Sequence, residues 1–361
     1  MRNENKNAPE RAPLKNSIRF LRNDKHSSIS STIDHYRIFI LLVLVFGFMA
    51  IFAPNFLNGF NMTSIMKNMA MNACVAIGFT VVMICGQLDL SIGTVITLAG
   101  VVGLGLKQYI GYGGSIPVAI LVGALIGLIN GLLVVKAKIN SFIVTLGTMT
   151  LLTGIIYQAT GGNSISLSSD DAFRAADFLQ KELIPLLTPR VIITLILIFG
   201  AELYMQRTKI GRNFYMVGGN TQTAWLAGIN TDNYLIAAFM LSSVTAAVGG
   251  VLFAVEGAAA TMKLGDTSLM YVISATIIGG TAMSGGKGGI FRSFIAILML
   301  EFLFNGIILF GLGNEIKIFL SGVILAAVVL YEAYATYRHD LSVGARPELV
   351  KESIQARAMR G

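Results

Sequence analysis

Few residues in this 361-residue chain have side chains able to do chemistry, and the most telling of them sit in apolar surroundings. Asp89 lies in Gly86-Gln87-Leu88-Asp89-Leu90-Ser91-Ile92-Gly93, between two long apolar runs, and Glu301 lies well inside another. A carboxylate at membrane depth is expensive unless it faces water, caps a helix or has a partner. Each therefore marks an ion site, a polar path or a structural anchor. Asp89 or Ser91 is placed to cap the helix that follows, satisfying its free N–H groups and complementing its dipole. Contact with a transported molecule is the other reading. Glu301, far from any segment end, should face the protein interior. Glu256 and Asp266 read as outer-mouth residues. Asn130, Asn305, Thr145 and Thr148 fall inside apolar segments, where such side chains either join helices through hydrogen bonds of about 1 kcal/mol or line a polar path. Packing is the plainer reading for each.

Catalytic, nucleotide and metal chemistry find no footing. The run Gly285-Gly286-Lys287-Gly288-Gly289 invites comparison with a phosphate-binding loop, but position 281 is Thr and Gly288 follows the lysine. The spacing G-x-x-x-x-G-K-[ST] is absent, so any ATP used here is hydrolysed by another chain. His26, His35 and His339 lie in the tails, without metal-ligand spacing. Cys74 and Cys85 share one apolar run. Eleven residues of helix place them about 16 Å apart, beyond disulfide reach, and they read as small core residues.

The elements that must hold these residues are membrane helices. Hydrophobic residues make up 54% of the chain and charged residues 13%, about half the charge of a soluble domain; mean hydropathy is +0.71. The 39 glycines suit helices whose backbones approach closely. Apolar segments at 38–53, 65–85, 88–106, 115–135, 142–159, 190–206, 234–256, 268–282, 290–311 and 313–334 approach the roughly twenty residues of a span. Several are short or broken, which is tolerated only where protein or a cavity surrounds the backbone. The resulting expectation is an all-α integral membrane protein with about ten transmembrane helices, some broken or re-entrant. A basic tail over 1–37 and a tail over 336–361 flank a transmembrane domain over 38–335. With both termini in the cytosol, twenty of the 27 Lys and Arg residues fall on the cytosolic side, as the positive-inside rule requires. That bias accounts for the net charge of +8 without nucleic acid.

One polar island, 207–233, interrupts the apolar runs on the cytosolic side. It carries the only tryptophan, Trp225. Gly218-Gly219-Asn220 is a turn or helix-start signal with Asn220 as N-cap, Thr221–Ala227 a short helix, and Gly228 its C-terminal stop. Ala224, Trp225 and Ala227 offer small and aromatic contacts. The island is either an interfacial anchor or a docking element for a partner. A weak echo links Leu128-Ile129-Asn130-Gly131 to Leu303-Phe304-Asn305-Gly306, in keeping with the repeats common in transporters.

Four segments, in order, resemble the signatures of ribose-type ABC importer permeases. Gly86–Gly93 resembles "GGIDLSVG", Ser141–Thr148 "PFIxTLGT", Gly218–Ile229 "GGNxxAAxxxGI", and Ile278–Gly286 "VxGGTSLSGG". Gln87 replaces a glycine of the pattern and Ser141 a proline, where the serine is placed to cap the helix instead, and Gly313–Ile318 lacks the family's aromatic-Gln-Gln run. The resemblance implies a type II importer-like fold in the bacterial cytoplasmic (inner) membrane. It implies a non-catalytic translocation subunit that pairs with a second permease chain, receives a monosaccharide or related polyol from an extracytoplasmic binding protein, and is driven by ABC ATPase subunits that bind the ATP and Mg²⁺. Gly218, Gly219, Asn220, Ala224, Trp225, Gly228 and Ile229 would form the coupling helix. Gln87, Asp89, Ser91, Asn130, Thr145, Thr148, Glu301 and Asn305 would be path or signature residues. The rival readings are an ion-coupled secondary transporter using Asp89 or Glu301, and a membrane scaffold without transport.

Overall fold

A computed structural model describes residues 36–342. The expected tails lie almost wholly outside this range. Within the described residues the chain is a bundle of helices: α1 (Tyr36–Phe52), α2 (Gly59–Ile84), α3 (Ile92–Gly105), α4 (Lys107–Val135), α5 (Ser141–Thr160), α6 (Asp170–Gln180), α7 (Pro189–Arg207), α8 (Lys209–Gly219), α9 (Thr221–Leu226), α10 (Thr231–Gly257), α11 (Asp266–Ile278), α12 (Ile290–Leu309) and α13 (Asn314–Ser342). A two-residue pair, β1 (Ile165–Ser166) with β2 (Ala259–Ala260), is antiparallel, with Ile165 opposite Ala260.

Every expected apolar segment falls on a helix. Six of them, α2, α4, α5, α7, α10 and α12, are long and apolar enough to cross a membrane, and α1, α3 and α11 are shorter apolar helices. Three details differ from expectation. The last helix runs through 336–342, because that stretch holds neither Gly nor Pro to stop it. Residues 170–180 form an amphipathic helix, α6, with Asp170 and Asp171 in its first turn. The island carries a second helix, α8, capped by the Thr208 hydroxyl, which accepts the Gly211 N–H at 2.9 Å.

Close approach through small residues organises the core. A Cβ at Gly78 of α2, or at Gly123, Gly127 or Gly131 of α4, would collide with the α10 backbone between Ile236 and Ser243 or with Ala247. Gly249 and Gly250 of α10 return the contact against Met71 and Ile96. α10 therefore lies against α2, α3 and α4 at once, and dispersion across these narrow gaps replaces the hydrophobic drive that lipid does not supply. α5 is different: 22% of its span is buried against 83% for α2, and Gly147 and Gly154 face open space.

The two ends of the bundle differ in chemistry. At one, α8 and α9 gather, and Lys136 after α4 pairs with Asp232 of α10 at 2.8 Å. At the other, the buried Lys107 ammonium reaches Asp171 at 2.6 Å and Ser169 at 2.7 Å, tying α6 to the start of α4. The Lys107 and Ser169 hydrogen bonds hold the Asp171 carboxyl down at about 2. A depressed carboxylate contributes stability that is present above its unfolded value and lost only as pH falls through the folded one.

Gly127→Leu, which drives a side chain into the α10 backbone, should prevent a monodisperse detergent-solubilised chain, whereas Gly147→Leu should fold normally in size-exclusion chromatography. Acidification from neutrality to about pH 4, still above the folded Asp171 value, should leave proteolysis of the 161–188 loop unchanged. Asp171→Ala should accelerate that cleavage at neutral pH.

Candidate functional site

Two constellations meet in the lower half of the bundle, at the end where α8 and α9 lie. The first surrounds Asp89. α2 ends in a Schellman turn: Gly86 N–H bonds to Met83 C=O at 2.8 Å and Gln87 N–H to Val82 C=O at 3.1 Å, with Gly86 at φ +71°. The chain then climbs back into the bundle and buries Asp89 before α3 begins. Asp89 Oδ1 accepts from the Ser91 N–H at 3.0 Å and the Ser91 hydroxyl at 2.6 Å, and Oδ2 accepts from the Ser242 hydroxyl of α10 at 2.7 Å. Asn130 Nδ2 of α4 donates to Ser91 Oγ at 3.0 Å, and the Thr148 hydroxyl of α5 donates to Asn130 Oδ1 at 2.6 Å. The donors run in one direction, Thr148 to Asn130 to Ser91 to Asp89, so each bond polarises the next. Four side chains from four structural segments form a network around one carboxylate.

This arrangement refines the capping expectations. Asp89 takes the first free N–H of the α3 entrance, while Ser91, the residue at the N-cap position, gives its hydroxyl to Asp89 rather than to the helix. Ser141 does not cap α5. Asn140 does, accepting the Phe142 N–H at 2.8 Å, and the Ser141 hydroxyl accepts the Leu88 N–H at 3.4 Å. Thr145 donates to Ser141 C=O within its own helix and is buried. Gln87 is half-buried beside the turn.

Other expected path residues lie apart from this network. Asn305 and Asn61 exchange side-chain amide bonds at 2.9 and 2.8 Å, joining α12 to α2. Glu301 is buried on α12, where it accepts from Asn72 Nδ2 at 3.2 Å and lies within electrostatic reach of Arg190 and Lys317. Arg190, fully buried at the start of α7, pairs with Glu256 at the end of α10. Sequence reasoning missed Arg190 and Ser242. Arg190 follows a helix-starting proline and resembles an end anchor; Ser242 is one of two serines in an apolar run, and nothing local singles it out. Cys74 and Cys85 are free and buried, and no cluster of metal-ligating residues occurs among the described residues.

The second constellation is a junction of glycines. A Cβ at Gly218 would strike the Ile84 carbonyl, and one at Gly285 would strike Gly218 C=O and Gly86. Gly286 packs on Gly219 and donates its N–H to Ile84 C=O at 2.8 Å. Three separate glycine-bearing segments thus touch backbone to backbone. Gly218 and Gly219 close α8. Asn220 then starts α9, its Oδ1 accepting the Thr223 N–H at 2.9 Å. α9 ends in a second Schellman turn, with Gly228 N–H on Trp225 C=O at 2.9 Å and Ile229 N–H on Ala224 C=O at 3.1 Å. Ala224 is buried, while Trp225 and Leu226 are 65% and 72% exposed. A rigid stub therefore offers two apolar side chains outward and rests its other end on the turn that leads to Asp89.

Asp89→Asn should leave Ser91 or Ser242 facing a donor, destabilising the fold by about 1–3 kcal/mol. Ser242→Ala added to it should cost much less than in the wild-type background. Thermal unfolding of the four proteins of this double-mutant cycle measures the coupling, and strict additivity would separate the two residues.

The chain matches the family model described as branched-chain amino acid transport system / permease component over residues 61–329. It is 30% identical over 305 residues to the ribose import permease protein of Haemophilus influenzae, covering 82% of this chain and 93% of that protein. Identity to the ribose import permease protein of Bacillus subtilis is 29% over 301 residues, covering 82% and 90%. The autoinducer 2 import system permease protein of Yersinia enterocolitica is 32% identical over 270 residues, covering 73% and 81%. No solved structure matches. A chain matched over most of its membrane bundle, with its signature segments gathered at one end, belongs to the family of permease components of branched-chain amino acid transport systems, and is a multi-pass protein of the bacterial cytoplasmic membrane.

Proposed function

We propose that this chain is the translocation subunit of an ATP-driven importer for a small sugar or related polyol, with ATP and Mg²⁺ bound by partner ATPase subunits. The observation that carries the reading is the glycine junction. It seats the end of α8, from which the exposed helix α9 springs, on the turn before Asp89, so a push on Trp225 and Leu226 has a short route into the bundle through α8. Glycines transmit such a push well, because backbone meets backbone with no rotatable side chain between.

The relatives supply the cargo class: one is named for ribose and another for autoinducer 2. On this reading the ten apolar helices all cross, both termini and α8–α9 face the cytosol, and α6 with the Lys107–Asp171 tie faces outward. The Lys and Arg distribution supports that orientation. An extracytoplasmic binding protein would deliver cargo on the α6 side. The lightly covered face of α5, with open space at Gly147 and Gly154, is the face offered to a second permease chain. The chain contributes no catalytic group: the side chains around Asp89 hold one another, and the energy enters through α9.

Reconstitution tests this. Uptake into vesicles should require the ATPase, the binding protein and ATP. Trp225→Ala should weaken ATPase docking by about tenfold or more, the scale of an interface aromatic, without unfolding the chain. Gly218→Ala should leave ATP hydrolysis running while uptake falls. Ion-gradient-driven uptake by the lone chain, without ATP, would overturn the assignment.

A further inference from the structure

A small polar cleft opens on the far side of the Asp89 network, between α3, α5 and the start of α11. It has a volume of about 80 Å³, and its polar lining is Thr94, Thr97, Thr153, Tyr157, Lys263 and Asp266. Thr153 follows Thr148 by five residues, which places the cleft about 8 Å further along α5. The backbone contact between Gly93 and Gly265 fixes the start of α11 against α3 and so holds Asp266 in the cleft wall. The Thr160 hydroxyl, which donates to Ile156 C=O at 2.9 Å, lies 3.3 Å from Met262 Sδ and closes the end nearest the loops.

The chemistry of this lining is unlike that of a lipid-facing surface. An ammonium and a carboxylate on a hydrocarbon-facing wall would be costly, and such groups instead mark water-filled paths. Neither takes part in the ion pairs found among the described residues. Lys263 and Asp266 are exposed to the cleft mouth, so both remain open to a ligand. The threonines have already placed their protons: Thr94 donates to Ser91 C=O at 2.9 Å and Thr153 to Met149 C=O at 2.8 Å. Thr97 donates to Gly93 C=O at 3.3 Å and also accepts the Gly265 N–H at 3.1 Å, so it keeps one lone pair where Thr94 and Thr153 keep two. Thr94, Thr153 and Asp266 thus offer acceptors, while Lys263 and the Tyr157 hydroxyl offer donors.

Interleaved donors and acceptors on one wall select for a molecule whose groups do both. A hydroxyl donates one hydrogen bond and accepts two, so vicinal hydroxyls match this wall. A phosphate or carboxylate would set its charge against Asp266 and the threonine oxygens. An apolar cargo would leave the same groups unpaired. The Tyr157 ring adds a flat apolar surface beside them. The volume corresponds to several water-sized spheres, enough for one edge of a small ring with the rest left in the open mouth. Such partial contact suits a path, where binding must be strong enough to admit the cargo and weak enough to release it.

We propose that Thr94, Thr153, Tyr157, Lys263 and Asp266 form an entry subsite that holds one edge of an uncharged, polyhydroxylated molecule on its way to the Asp89 level. The proposal rests on the sugar-importer reading above.

The test uses the whole importer, with ATPase and binding protein, reconstituted in vesicles and offered D-ribose, D-xylose, D-galactose and ribitol. Asp266→Asn and Thr153→Val should lower ATP-driven uptake at saturating cargo by about tenfold, the loss of one or two hydrogen bonds to the cargo. The loss should differ between sugars that differ at a single hydroxyl; an equal loss for every sugar is the mark of a merely structural role and overturns the subsite. Independently, Thr153→Cys should react with an added maleimide from the α6 side, since the native Cys74 and Cys85 are buried, and the transported sugar should slow that reaction. If the wild-type importer moves a sugar but both variants keep normal uptake and the sugar gives no protection, the subsite is wrong and the importer reading stands. If the wild-type importer moves none of the four, the sugar reading falls and takes the subsite with it.

Discussion

Helix α10 can touch three neighbours at once only because small residues remove the side chains that would hold them apart. Gly78, Gly123, Gly127 and Gly131 clear its flanks from α2 and α4, and its own Gly249 and Gly250 clear the way to α2 and α3. In lipid, where apolar side chains gain nothing by leaving the solvent, such close packing is the main source of cohesion. It also fixes a position: with the α10 backbone held this tightly, Ser242 stands where Asp89 needs a donor. Glycines on α2, α4 and α10 thus decide whether the carboxylate between α2 and α3 is tolerated.

The Asp89 network and the glycine junction divide the work of one turn. Residues 85–91 leave α2, touch the Gly218 and Gly285 loops, and re-enter the bundle to start α3. The outer part of the turn is bare backbone and meets backbone; the inner part is polar and meets side chains from α4, α5 and α10. The surface end and the interior are therefore joined by a segment of about seven residues held at both ends, with Leu88 and Leu90 packed against the core. The contrast with Glu301 is instructive. Its neighbours Asn72, Arg190 and Lys317 come from α2, α7 and α13, and Asn72 stands about 20 Å of helix before the turn, so the second buried acid lies well away from it.

The membrane helices were legible because each is a long apolar run, and the short helix α9 was legible because Gly-Gly-Asn and a later glycine are strong local signals for a helix start and stop. Asn220 and Gly228 play those parts in the structure. Partnerships across the bundle were not legible. Nothing near Ser242 distinguishes it from Ser243, and Asn61 gives no hint that it faces Asn305. Such pairings depend on the rotation of one helix against another, which is set by glycines far away in sequence. Helices α6 and α8 were missed for a different reason: both are polar enough to read as loop, and their apolar faces show only at helical spacing within a short segment.

Arg190 and Glu256 have a bearing on how the protein is made. Arg190 stands at the head of α7, and its carboxylate partner ends α10, which leaves the ribosome only after the whole polar island has been synthesised. Until then the guanidinium lacks the carboxylate it pairs with in the folded chain. Once formed, the pair closes the α7–α10 hairpin at the end opposite the island that links the two helices.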